Sequence, residues 1–151
     1  MKTTYLFSII LFILSSFVFI ACDDDKGDTE RPTINLIVPA NGDTLRIGGA
    51  VHLDMELSDN EMLASYMIDI HKEDGLHETK AAASGNILTD KNKWDVSGQK
   101  NKHVHHHEII IPGHATEGGY HFMVYCLDAA GNESYTVRNV ILSHTGGEHD
   151  H

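Results

Sequence analysis

The chain has 151 residues, room for one domain plus a processed segment at about 100–200 residues per domain. Asp and Glu number 22 against 11 Lys and Arg, a formal charge of −11, which excludes a nucleic-acid binder needing a basic face to displace phosphate counterions. Hydrophobic residues at 41% exclude wholesale disorder, and 12 histidines are the figure that calls for a reason.

Met1-Lys2 gives a positive start, and an apolar run follows from Tyr5 to Ile20, interrupted only by Ser8 and Ser15-Ser16, before Ala21-Cys22. A basic start, an apolar stretch and a small residue before a cut are the anatomy of an export signal. The alternative is a transmembrane anchor, since the run could just span a bilayer. Phe19-Ile20-Ala21-Cys22 resembles the lipobox of bacterial lipoproteins, with Phe19 where leucine is usual. The resemblance implies that residues 1–21 are a signal peptide, removed before Cys22 is acylated. Two or more acyl chains, palmitate among them, would then hold the protein durably in a lipid bilayer. The acidic stretch from Asp23 to Glu30 makes residues 22–31 a solvated tether. It is similar to the signal with which some Gram-negative lipoproteins reach the cell surface. The expected location is therefore the outer membrane, displayed outward rather than facing the periplasm. Removing residues 1–21 deletes one Lys and no carboxylate, so the mature charge is 10 − 22 = −12. Cys126 is then the only free thiol, and no intramolecular disulfide can form.

Residues 32–144 read as short strands separated by turns, with no helical periodicity. Thr33 to Val38 is followed by the breaker cluster Pro39-Ala40-Asn41-Gly42. Residues 50–57 alternate, with Val51, Leu53, Met55 and Leu57 on one face. Residues 64–72 alternate again and group Tyr66, Ile68 and Ile70. The stretch from Lys72 to Lys102, which holds Trp94, is the least regular. Strand-like runs at 103–111, 120–127 and 135–143 complete the domain, and residues 145–151 form a His-rich, acidic tail. About seven strands with frequent turns predict an all-β, antiparallel β-sandwich. Glu117-Gly118-Gly119-Tyr120 and Asp128-Ala129-Ala130-Gly131-Asn132 resemble the penultimate strand and final hairpin of bacterial immunoglobulin-like domains. That resemblance implies an immunoglobulin-like sandwich in which the Tyr120 hydroxyl bonds back to the backbone and Cys126 is a small buried hydrophobe.

In this threading the strands at 64–72, 120–127 and 135–143 are antiparallel neighbours. His71, His121 and His144 then fall at one end of one sheet, with His77 and His114 in loops at that end. His71 and His121 point outward together if Ile70 and Phe122 point inward. A second group lies in His103-Val104-His105-His106-His107, where His103, His105 and His107 share a face. Same-face neighbours there are about 6.6–7 Å apart, so the strand offers a pair and further ligands must come from elsewhere. Imidazole suits zinc, copper and nickel. The expected site is a zinc or copper ion held by His71, His77 and His121, with His114, His144, His105 and His107 as additional ligands. His71, His77 and Tyr120-His121-Phe122 also resemble features of a functionally uncharacterised, histidine-rich family of lipid-anchored immunoglobulin-like proteins.

Calcium is the lesser expectation: Asp59, Asn60 and Glu61 could approach Asp128 and Asn132 at the opposite end with hard oxygen ligands. No nucleophile elbow, zinc-protease motif, phosphate loop or dinucleotide fingerprint occurs, so the protein is not expected to be an enzyme. A catalytic metal would need a base such as Glu73 or Glu78, and no residue points to a substrate. The rival reading is a surface adhesion or accessory module with incidental histidines, its partner a protein or glycan.

Overall fold

The structure, a computed structural model, describes residues 27–73 and 93–146. The signal segment 1–21, Cys22, Asp74, His77, Glu78 and the tail residues His149 and His151 lie outside the described residues. Eight strands follow in order: β1 (Thr33–Val38), β2 (Thr44–Arg46), β3 (Ala50–Ser58), β4 (Leu63–Lys72), β5 (Lys93–Asp95), β6 (Asn101–Ile110), β7 (Gly118–Asp128) and β8 (Glu133–Ser143). They form a three-stranded sheet, β1-β3-β6, and a five-stranded sheet, β2-β8-β7-β4-β5. The expected β-sandwich is what forms. Two short strands, β2 and β5, escape the alternation pattern because three residues are too few to show a period. β2 also runs parallel to β8, the one departure from antiparallel pairing among the described residues.

Alternation explains the layers. β3 buries Val51, Leu53, Met55 and Leu57 and leaves His52, Asp54 and Glu56 outside. β7 buries Tyr120, Phe122, Val124 and Cys126, and β4 buries Tyr66, Ile68 and Ile70 against them. Burial of this kind contributes roughly 1.5–3 kcal/mol for each large apolar side chain. Cys126 is fully buried, which pushes its thiol up to about 12. The Tyr120 hydroxyl donates to the Thr116 carbonyl at 2.9 Å, the backward bond expected of it.

The long sides of the sandwich are closed by side chains. On one, Arg138 Nη2 of β8 donates to the Leu36 carbonyl of β1 at 3.0 Å. On the other, Trp94 stacks on Tyr66 with ring centroids 4.9 Å apart. The Tyr66 hydroxyl meets His106 Nε2 of the opposite sheet at 2.9 Å, and Trp94 Nε1 donates to Glu108. The β7–β8 hairpin turns through Gly131, whose φ of 95° an L side chain resists.

Candidate metal centre

Strand pairing decides which imidazoles can meet. β4 and β7 place His71 directly opposite His121. Because Ile70 and Phe122 turn into the core, both imidazoles turn onto the same outer face. His121 Nδ1 lies 3.3 Å from His71 Nε2, with the rings edge-on and their centroids 5.2 Å apart. His71 Nδ1 is 3.0 Å from Asp69 Oδ2. In the tautomer whose Nδ1–H donates to this carboxylate, Nε2 of the neutral ring keeps its lone pair. A carboxylate behind an imidazole in this way fixes its tautomer and raises its basicity as a metal ligand. Two ligands at ~2.0–2.1 Å from a tetrahedral zinc ion are about 3.3 Å apart, which is the spacing of these nitrogens.

The expected third ligand, His77, lies outside the described residues. Among the described residues His114 and His144 do not join the pair, so of the four expected histidines that are described, two meet. The register gives the reason. His121 sits opposite Asn139 of β8, five residues before His144, or about 17 Å along an extended strand. His144 is exposed, with its backbone N–H held by Glu117 Oε1 at 2.9 Å. His114 is exposed in the connection between β6 and β7, four residues before β7 begins.

A denser group occupies the outer face of the other sheet. β3 and β6 pair antiparallel with a register shift between Val51 and Leu53, where β6 fits one extra residue. The shift stacks His107 on His52 with centroids 4.7 Å apart, while His105 meets His52 edge-on at 4.8 Å. Asp54 lies beside them: its Oδ1 accepts from His103 Nε2 at 2.8 Å, and its Oδ2 is 3.7 Å from His105 Nδ1. His52, Asp54 and His105 each offer one ligand atom within 4.8 Å of the others. The hydrogen bond from His103, aided by the charge of His103 and His105 when protonated, holds the Asp54 carboxyl below its usual value against burial. Of the additional candidates His105 and His107, His105 falls in this second donor group and His107 stacks on His52 beside it. His52 and Asp54 are the candidate donors that sequence reasoning missed. Both occupy outward positions of β3, and the register shift against β6 that gathers them with its histidines leaves no mark in the hydrophobic pattern.

His106 faces the other way, and burial pushes its imidazole below the usual 6.5. It serves the contact with Tyr66 rather than a metal group. A third group has only oxygen donors: Asp28, Asp59 and Asp128 at the opposite end of the sandwich. The described residues thus hold two groups of at least three donors fit for an ion, plus the His71–His121 pair.

No curated protein matches this chain. Residues 20–143, most of the chain, match the family model described as "Domain of unknown function (DUF4625)", and the protein belongs to that family.

Proposed function

We propose that this protein is a lipid-anchored outer-membrane lipoprotein whose immunoglobulin-like domain binds a transition-metal ion, zinc or copper, in order to sequester or relay it. The supporting observation is the convergence of His52, Asp54 and His105 from two paired strands, with ligand atoms within 4.8 Å of one another. Two imidazoles and a carboxylate form a mixed nitrogen and oxygen set suited to zinc or copper. His103 and His107 flank the set and offer exchange partners, as a relay requires. His71 and His121, backed by Asp69, form a second and smaller site on the opposite face. Anchoring rests on Cys22 and its preceding Phe19-Ile20-Ala21, and outward display rests on the acidic run behind it. The reading is binding rather than catalysis, because the sequence carries no nucleophile elbow, zinc-protease motif, phosphate loop or dinucleotide fingerprint.

The full chain in detergent tests this by thermal melting and elemental analysis with zinc, copper and nickel. Metal at 100 times its dissociation constant adds about 2.7 kcal/mol to stability. His105→Ala and Asp54→Asn should remove most of the shift, whereas His149→Ala should keep it. If none of the three metals binds stoichiometrically or moves the melt, the adhesion reading takes over.

A further inference from the structure

The tether and two loops meet at the end of the sandwich remote from the His71–His121 pair. Asp28 precedes β1, Asp59 follows β3, and Asp128 ends β7. The Cα register brings Leu63, at the start of β4, opposite Asp128, which places the β3–β4 loop against the end of β7. The three carboxylates each offer an oxygen within 4.8 Å of the others. Ligands on opposite sides of a calcium ion at 2.3–2.6 Å stand about 4.6–5.2 Å apart, so one ion can touch all three.

Each carboxylate is held by its neighbours in a way that leaves oxygen to spare. Asp59 Oδ1 accepts from the backbone N–H groups of Glu61 and Met62, at 3.0 and 2.7 Å. Asp28 Oδ1 accepts from Asn60 Nδ2 at 3.0 Å and from the Glu30 backbone. Asp59 Oδ2 and Asp28 Oδ2 are both shut off from solvent and accept no hydrogen bond. Asp128 is 1% exposed, and its oxygens accept from the Asn132 backbone and side chain, both at 2.7 Å. The Asn132 amide also donates to the Asp28 carbonyl at 3.0 Å, tying the tether to the same hairpin. Among the described residues no Lys or Arg forms an ion pair with any of the three. Two buried carboxylate oxygens without a donor are costly, since such groups are normally paired or bound to a metal. A single cation between them satisfies both.

We propose that Asp28, Asp59 and Asp128 form a calcium site that fastens the tether to the domain. The donors are all hard oxygens, which suit calcium or magnesium better than the imidazole-rich faces do. They come from three chain segments up to 100 residues apart in sequence. Calcium accepts such an irregular, carboxylate-rich shell, whereas magnesium demands near-ideal octahedral geometry and keeps its waters. Asn60 and Asn132 carry side-chain oxygens close by, and Glu30 and Glu61 flank the adjoining groove. An ion here joins the tether at Asp28 to loops of both sheets. It would therefore set the angle at which the domain leaves the membrane. The site is chemically separate from the histidine groups, so either can fail without the other.

The full chain in detergent, stripped with a chelator and titrated with calcium or magnesium, provides the test. One calcium ion should bind with a dissociation constant on the order of 0.1–1 mM, as in extracellular modules, and raise Tm by several degrees. Asp28→Asn should weaken calcium binding at least tenfold while leaving the zinc or copper response intact. Because Asp28 precedes the first strand, this variant keeps the fold even if Asp128→Asn does not. Calcium should also slow endoproteinase Lys-C cleavage at Lys26-Gly27 severalfold. No binding up to 10 mM calcium, equal binding of magnesium, or an Asp28→Asn variant that binds as the parent does would each overturn the proposal.

Discussion

Two histidine groups occupy opposite outer faces of the sandwich, and they are built by different means. On the five-stranded sheet β4 and β7 pair in unbroken register from Ser65 to Lys72. That regularity sets His71 straight across from His121 and brings their nitrogens to 3.3 Å, a pair of imidazoles among the described residues. On the three-stranded sheet the register slips beside His52, and the slip gathers more donors, all within 4.8 Å of one another. Among the described residues, one face has the bite of an ion and the other has the larger number of donors. The side chains of His103 and His105 on that second face are exposed, at 61% and 53%, which leaves them room to adjust around an ion. Under the proposed function, donor count among the described residues favours the smaller sheet as the principal site, and preorganisation favours the larger one.

The largest effects should come from beneath the faces. Phe122 lies under the His71–His121 pair, next to His121 in sequence, and Leu53 lies between His52 and Asp54; both are fully buried. Phe122→Ala should cost about 3–5 kcal/mol and Leu53→Ala about 2–5 kcal/mol, read from urea unfolding. A loss under 1 kcal/mol at either position would mean that face does not rest on the common core.

Next in size is the metal response itself. His121→Ala should lower the bound metal from two equivalents to one while most of the thermal shift survives. His105→Ala should do the reverse, keeping the weaker equivalent and losing most of the shift. Titration calorimetry on the two variants separates the faces. If His121→Ala removed the whole response, the paired register would be the principal site and the smaller sheet the minor one.

The sandwich was legible because β3, β4 and β7 alternate cleanly over nine or more residues, long enough for period two to be unmistakable. The meeting of His71 and His121 was legible for a related reason: antiparallel order and inward-facing Ile70 and Phe122 leave these two residues little choice. The three-donor group was not. His105 and His107 were visible, yet their partners His52 and Asp54 looked like the ordinary solvent side of an alternating strand. What joins them is a slip of one residue in β6, and a bulge leaves no mark in hydrophobic period. Asp28 was hidden differently, since an acid in an acidic tether has no pattern of its own. Only folding shows that it docks on the β3–β4 and β7–β8 turns.

The smallest effect concerns the end of β8, where the backbone of His144 is held. Glu117 accepts from the backbone N–H of His144 and from the Ser143 hydroxyl, pinning the end of β8. Those bonds, and then the charge of His144, hold the Glu117 carboxyl below its usual 4.5 despite some burial. The folded state therefore binds its proton less readily than the unfolded chain does. The resulting stability is fully present above about pH 4.5 and is lost as pH falls through the lower, folded value. Glu117→Gln should melt about a degree below the parent at pH 7, and the gap should close as the pH is taken towards 3. A gap that stays constant across that range would show that the carboxylate charge plays no part. Glu117→Ala, which removes the acceptor, frees His144, and the roughly 17 Å between its position and His121 predicts that the second metal equivalent binds no more tightly than before. A tighter second equivalent would mean that this strand end, once released, folds back over the pair and completes its coordination.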